Sequence, residues 1–184
     1  MFNKPYPFKV LAKNHLEKNG FTYLVCRFSF IGKGKKEESK DGISCKVSFE
    51  EYTVEVEIYN YSFHALKFYL SRNKKSKNKY SIESNLGDAK AILATCLSIM
   101  DDLLKKDEQA SFGFIGANSE NEAQNNTKRY RIYKVMMKNA YNPATFAHYD
   151  LEEISAYIVF NKKQSPEIFD KIAEMLKVIH HLDI

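Results

Sequence analysis

The chain has 184 residues, of which 44 % are hydrophobic and 28 % are charged. This composition excludes global disorder, and the length is sufficient for one domain with its own core. No run approaches the roughly 20 apolar residues that span a bilayer, so we expect a soluble protein with no membrane segment.

The cysteines, Cys26, Cys45 and Cys96, are far apart and match no zinc-binding spacing. An odd number of scattered cysteines is typical of a reducing compartment, and the first residues lack the pattern of a secretory signal. We therefore predict a cytoplasmic protein. Because the five histidines also show no ligand spacing, we expect neither a metal nor a cofactor.

The first part of the chain, about residues 1–84, predicts an antiparallel β-meander of three to five strands. Phe21 to Ile31 and His64 to Leu70 are apolar runs bounded by charges and turn residues. Residues 52–59 alternate between apolar and polar side chains, which is the period of a strand with one buried face.

Cations are concentrated in this first part. Residues 1–80 contain 16 Lys and Arg against 8 Asp and Glu, whereas residues 81–184 contain 12 against 15. The densest run follows His64 to Leu70 and consists of Arg72, Lys74, Lys75, Lys77 and Lys79. Such a run is a candidate nucleic-acid contact, and it is equally typical of a solvated hairpin tip.

From about residue 85 the hydrophobic period changes from two to 3.6. Apolar residues between Asp88 and Lys106 recur at every third and fourth position, which predicts a core-facing helix with Asp88 as its N-cap. Ala110 to Gly116 predicts a short strand. Its two glycines indicate a close backbone approach or a bulge.

A second helix is predicted to begin at Thr127 and to end near Tyr141, before a proline. Ser155 to Asn161 predicts a further strand, and Pro166 opens a last helix over about residues 165–181. We therefore predict one α+β domain, residues 1–184. Its N-terminal antiparallel β-meander is followed by α-β-α-β-α, giving a mixed sheet packed by about three helices.

The start of the second predicted helix is rich in cations. The first turn of a helix has exposed N–H groups and a partial positive charge, so cations there are unfavourable unless an anion lies nearby. That anion is either a bound ligand or the side chains of Glu120 and Glu122. The ligand interpretation uses the loop 118–126 and the helix start, with these candidates: Asn118, Arg129, Tyr130, Arg131, Tyr133 and Lys134.

Tyr130 and Tyr133 have two interpretations of their own. Next to cations, their rings are suited to stacking on a base. On the apolar face of a helix, tyrosines more often belong to the core.

No catalytic motif is present in the sequence. Ser111 lies within a predicted strand and lacks the G-x-S-x-G pattern, and neither a P-loop nor G-x-G-x-x-G occurs. The carboxylate pairs at 50–51, 101–102 and 152–153 are sequence neighbours that point in different directions, which is typical of solvated surface. We name no catalytic residue, and the sequence favours a protein that is not an enzyme.

Several short motifs resemble those of a group of bacterial domains without an established activity. Those domains have a Pro-aromatic start, a β-meander, an N-x-x-D-x-x-x-[IV]-L-A-T helix, a strand and a K/R-x-R-[IL]-Y helix. The matching residues are Tyr6-Pro7-Phe8, Asn85 with Asp88, Ile92-Leu93-Ala94-Thr95, and Arg129-Tyr130-Arg131-Ile132-Tyr133. The resemblance implies a bacterial protein but no particular activity.

The second half also resembles Gcn5-related N-acetyltransferases in its order of strands and helices, with Asn126, Arg131 and Tyr133 similar to their Asn…Tyr helix. Those enzymes cradle the pyrophosphate of acetyl-CoA with a Q/R-x-x-G-x-G/A turn. Here the corresponding segment runs from Ser84 to Ala89; its leading residue is replaced, and Asp88 adds a negative charge. This resemblance implies acyl-CoA-dependent N-acetyl transfer.

The sequence favours an interaction module that binds an anionic ligand or a nucleic acid. An acetyltransferase-like enzyme is the first alternative. A homo-oligomeric structural protein is the second, and it predicts a large exposed apolar patch.

Overall fold

The computed structural model describes residues 4–38, 45–82, 88–119 and 121–180. Its strands form one mixed sheet in the order β1-β2-β3-β4-β5-β7-β6, and its helices follow the meander, so the predicted α+β class is confirmed. The strands are β1 Phe8–Lys18, β2 Phe21–Glu38, β3 Cys45–Tyr59, β4 Phe63–Leu70, β5 Ser111–Ile115, β6 Phe146–Leu151 and β7 Ala156–Asn161. The helices are α1 Ala89–Lys106, α2 Lys128–Ala140 and α3 Glu167–His180.

Strands β1 to β4 pair as an antiparallel meander. The predicted alternation in β3 is confirmed, since Val54 and Val56 are fully buried in the core on one face of the sheet. Glu55 and Glu57 alternate with them and face the opposite side, where they meet polar partners from β2 and β4. This polar face becomes important for the loop that follows β4.

Two edge strands were not assigned from the sequence. β1 is exposed on both faces over most of its length, so it shows no apolar alternation. It is held by the two-residue turn Asn19-Gly20, whose φ angles of 51° and 81° suit a tight hairpin. β6 pairs only with β7 and is half-buried, which also weakens its pattern.

Helices α1 and α2 pack on one face of the sheet and α3 packs on the other. The first core joins Ile99 of α1 and Met137 of α2 to Phe112 of β5. The second core joins Ile172 of α3 to Phe160 of β7. The sheet is therefore covered on both sides where β4, β5 and β7 meet.

Of the two predicted N-caps, the cap of α2 is confirmed, whereas the residue at the N-cap of α1 uses its side chain elsewhere. Thr127 caps α2, because its Oγ1 accepts a 3.2 Å hydrogen bond from the backbone N of Tyr130. Asp88 occupies the N-cap position of α1, but its side chain makes no hydrogen bond to the helix. It instead accepts hydrogen bonds from the hydroxyl of Tyr6 and the backbone N of Lys33.

β4 and β5 are the parallel pair of the sheet, and they pair only from Phe63 to Ala65 against Ser111 to Gly113. The glycines of β5 explain the close approaches there. A Cβ on Gly113 would lie 2.5 Å from the ring of Phe63, and one on Gly116 would lie 2.5 Å from the backbone N of Tyr130. The predicted close backbone approach is therefore confirmed.

Candidate functional site

Beyond Ala65 and Gly113, β4 and β5 have no further paired residues, and a gap opens in the sheet between Leu66 and Phe114. A cavity lies against this gap on each face, and both cavities are lined by Leu66, Gly113 and Phe114. Because both cavities are lined by the residues at which the strands separate, we consider them together as one candidate site, which we call the β4–β5 cleft. Such gaps at the carboxyl ends of parallel strands are common ligand sites.

On the helix α1–α2 side, the β4–β5 cleft has a cavity volume of about 30 Å³. The lining is apolar and deformable, with Cys96, Met100 and Met137 in the wall. The half-buried ring of Tyr133 closes this side, 4.8 Å from the ring of Phe114 and 6.1 Å from that of Phe68 between centroids.

On the α3 side, the cleft also has a cavity volume of about 30 Å³. Ala65, Ile158 and Leu176 form an apolar floor, and Ile115 stands exposed at the rim. The polar side chain at this rim is Lys67, whose Nζ is 2.7 Å from Glu57 Oε1. Neither face of the cleft is lined by a carboxylate or a histidine from the described parts of the chain.

Arg129 sits one helical turn before Tyr133, on the same face of α2. Its half-buried guanidinium donates hydrogen bonds to the carbonyl oxygens of Tyr80 and Ser81, at 3.0 Å for Ser81. Among the residues the structure describes, no carboxylate lies within 4 Å of it. Its positive charge is therefore held by backbone dipoles beside an apolar cleft.

The other cations of α2 do not converge with Arg129. Arg131 is exposed and donates to the carbonyl of Asn126. Lys134 forms an ion pair with Asp150 of β6. The Lys128 side chain is exposed, while its backbone N donates to Glu122 Oε1 at 2.7 Å.

The loop before α2 supplies its own anion to the helix start. The Glu122 carboxylate accepts from the backbone N of both Lys128 and Ser119, and these hydrogen bonds lower its pKa. Asn118 donates to the carbonyl of Glu122 and so shapes this loop. Glu122 thus pairs with backbone N–H groups instead of Arg129 or Arg131, and Glu120 lies outside the described residues.

The two tyrosines of α2 have separate roles in the structure. Tyr130 is fully buried, and its hydroxyl donates to Asp150. Tyr133 packs against Phe68 and Phe114 at the cleft. Neither ring lies open on the surface as a stacking platform, so both contribute to packing.

The cationic run after β4 divides into inward and outward members. Lys79 points inward, 3.2 Å from Glu55 Oε2 and over the ring of Tyr69 at 4.1 Å. Arg72 pairs with Glu50 at the surface. Lys74, Lys75 and Lys77 are exposed, and no carboxylate within the described ranges lies within 4 Å of them.

Glu55 anchors this loop to the sheet from a position that is 6 % exposed. Burial by itself would raise the pKa of Glu55, but hydrogen bonds from Tyr80 and Arg27 and the charge of Lys79 lower it to about 2. In the sequence, Glu55 is recognisable as a charged residue on the polar face of β3. No nearby residue indicates that this face is covered by the loop after β4.

The described helices are all too short or too polar to cross a membrane. Comparison with known proteins found no matching family model, no matching curated protein and no matching solved structure.

Proposed function

We propose that this protein is a binding module for a small amphipathic anion, with the apolar part of the ligand in the β4–β5 cleft and its anionic group at Arg129. The observation that carries the proposal is that half-buried Arg129 lies one helical turn before Tyr133, whose ring lines the cleft, although Arg129 itself lines neither cavity. We also propose, as the sequence predicted, that the protein acts in the cytoplasm.

The apolar part of the proposal rests on the shape and lining of the cleft. Each cavity has a volume of about 30 Å³, so an alkyl chain must displace side chains of the lining in order to bind. Methionines at 100, 136 and 137 line the helix side of the cleft, and such unbranched side chains adjust to ligands of different length.

The anionic part rests on the charge of Arg129. A guanidinium has five N–H donors, and the backbone carbonyls of Tyr80 and Ser81 use two of its nitrogens. A carboxylate or phosphate binds the same group through charge-assisted hydrogen bonds, which are stronger than those to a neutral carbonyl. The cleft and Arg129 together therefore favour a ligand with both characters.

The test is calorimetric titration with three eight-carbon probes: octyl phosphate, octanoate and octyltrimethylammonium. We expect the two anions to bind and the cation to bind at least about tenfold more weakly, since it lacks an attraction to Arg129. Failure of every probe to bind at millimolar concentration would overturn the proposal.

Arg129→Gln separates the anionic contact from general damage to the fold. We expect this substitution to lower the affinity for octyl phosphate by roughly tenfold and to leave the affinity for octanol unchanged. Equal loss for both probes would instead indicate a distorted cleft, and the role of Arg129 would be wrong. Arg72→Gln is the matched control, because Arg72 lies in a surface ion pair with Glu50.

Acyl-CoA-dependent transfer is a second candidate. The observation that favours it is an apolar cavity on each face of the sheet where β4 and β5 separate. Against it, the Asp88 carboxylate at the start of α1 adds a negative charge near the helix end that would face a diphosphate. Coenzyme A should raise the unfolding temperature if this candidate is correct; no shift at saturating concentration excludes it.

A further inference from the structure

The outer face of α2 is an exposed stripe of mixed character. Ile132 and Val135 are 49 % and 58 % exposed, and they are neighbours on the helix surface because they are three positions apart. Lys128, Arg131 and Lys138 are also exposed and lie along the same side of the helix. We call these five residues the α2 stripe; it is about 15 Å long at 1.5 Å per residue.

The cations of the α2 stripe make no ion pair with the residues that the structure describes. Within the described part of the structure, no carboxylate comes within 4 Å of the charged groups of Lys128, Arg131 or Lys138. The first turn of α2 also contains no acidic residue, although that is where acidic side chains stabilise a helix. Lys128 has Glu122 near it at the helix start, so Arg131 and Lys138 are the cations of the stripe that the described residues leave without a nearby carboxylate.

The apolar pair is also unfavourable for an isolated surface helix. Ile and Val are β-branched and form helices less readily than Ala, Lys or Glu, and at these two positions their side chains gain little burial. Ile132 and Val135 thus stabilise neither the helix nor the core. Such residues are typical of a surface that is covered by a partner.

The charge of the stripe determines which partner fits it. A second copy of α2 facing it in antiparallel orientation would bring Ile132 against Val135, but it would also place three cations against three cations. A nucleic-acid backbone would satisfy the cations and leave the apolar pair uncovered. An acidic peptide helix with an apolar side satisfies both, since it lays carboxylates beside the cations and aliphatic side chains on the centre.

We propose that the α2 stripe is the docking surface for an acidic amphipathic segment of a partner protein. The segment lies along α2 for about three turns, with leucine-type side chains over Ile132 and Val135. Its carboxylates pair with Lys128, Arg131 and Lys138. This surface is separate from the β4–β5 cleft and does not depend on the function proposed for it.

The experiment uses a fluorescein-labelled 14-residue peptide of Glu and Leu, with Leu at every third and fourth position, and a scrambled peptide of the same composition. Fluorescence anisotropy should show saturable binding of the first peptide and at least roughly tenfold weaker binding of the scrambled one. Binding should weaken as salt rises, because the cations are exposed. Equal binding of the two peptides, or none, would overturn the proposal.

Two variants divide the apolar from the charged contribution. Val135→Ser and Arg131→Glu should each lower the affinity for the peptide by roughly tenfold, while thermal unfolding shows that the fold is intact. Lys90→Glu, the same change in charge at an exposed position of α1, should leave the affinity unchanged. If a single-stranded 20-nucleotide RNA binds more tightly than the peptide and Val135→Ser does not affect it, the stripe is a nucleic-acid surface and the proposal is wrong.

Discussion

Arg27 in β2 and Glu55 in β3 stand directly opposite each other, and Nε of the arginine lies 2.9 Å from Oε1 of the carboxylate. The same carboxylate accepts from the hydroxyls of Tyr69 and Tyr80. Together with Lys79, these groups attach the loop after β4 to the polar face of the meander. A charge on the solvated side of a strand has thus become the centre of a buried network.

Glu55→Ala should lower the free energy of unfolding by about 3 kcal/mol, the lower end of the range for breaking a buried ion pair, because Arg27 remains partly exposed. Urea denaturation at pH 7 measures this change. Lys105→Ala is the control, since it breaks an exposed pair with Asp102 and should cost less than about 1 kcal/mol. A loss for Glu55→Ala no larger than the control would show that the network contributes little.

The His64 side chain should make stability depend on pH. It is 3 % exposed, neither ring nitrogen has a hydrogen-bond partner among the described residues, and Nε2 is 3.8 Å from Asp107 Oδ2. Burial lowers the pKa of His64 below 6.5, although Asp107 opposes this. The unfolded chain therefore binds a proton at a higher pH than the folded chain, so stability should be fully present above the unfolded pKa and should fall as pH falls below it.

Replacing the imidazole tests this pH dependence directly. His64→Met should flatten the change in unfolding free energy between pH 7 and pH 5 that the unchanged protein shows. His15→Asn, at an exposed position of β1, should retain it. An unchanged slope in His64→Met would assign the dependence to other groups.

Gly116→Ala should destabilise the protein by about 2–3 kcal/mol through overpacking. The new Cβ would lie 2.5 Å from the backbone N of Tyr130 and 2.7 Å from Thr127 Oγ1, so the start of α2 would have to move. Gly20→Ala is the comparison: it meets no atom within 4 Å, and it is strained only by its φ of 81°. Chemical denaturation should show that Gly116→Ala lowers the free energy of unfolding by at least about 1 kcal/mol more than Gly20→Ala does.

The three outward lysines of the loop after β4 provide the test of a nucleic-acid role. If Lys74, Lys75 and Lys77 contact phosphates, the affinity for a single-stranded oligonucleotide should fall steeply with salt. Changing all three to Gln should then reduce the slope of log affinity against log salt by about 2, at roughly 0.7 per phosphate contact. A flat salt response in the unchanged protein removes this role.

Local signals in the sequence were sufficient for the elements with strong periodicity. The apolar stripe of α1, the alternation in β3 and the Thr127 cap all depend on residues close in the chain, so each could be predicted. The residue type alone predicted a close approach at Gly113 and Gly116, but not that Gly113 meets Phe63. The edge strands β1 and β6 could not, because strands with little burial carry no apolar pattern and are held by their neighbours in the sheet.

The amino-acid sequence by itself determined the class of the fold, the cationic start of α2 and the two glycines that allow close packing. Tertiary structure alone decided that β4 and β5 separate after three paired residues and that Arg129 meets carbonyls 48 and 49 residues earlier in the chain. It also decided that Glu55 is buried. The physical reason is that strand pairing and side-chain burial depend on segments far apart in sequence, whose contacts no local pattern encodes.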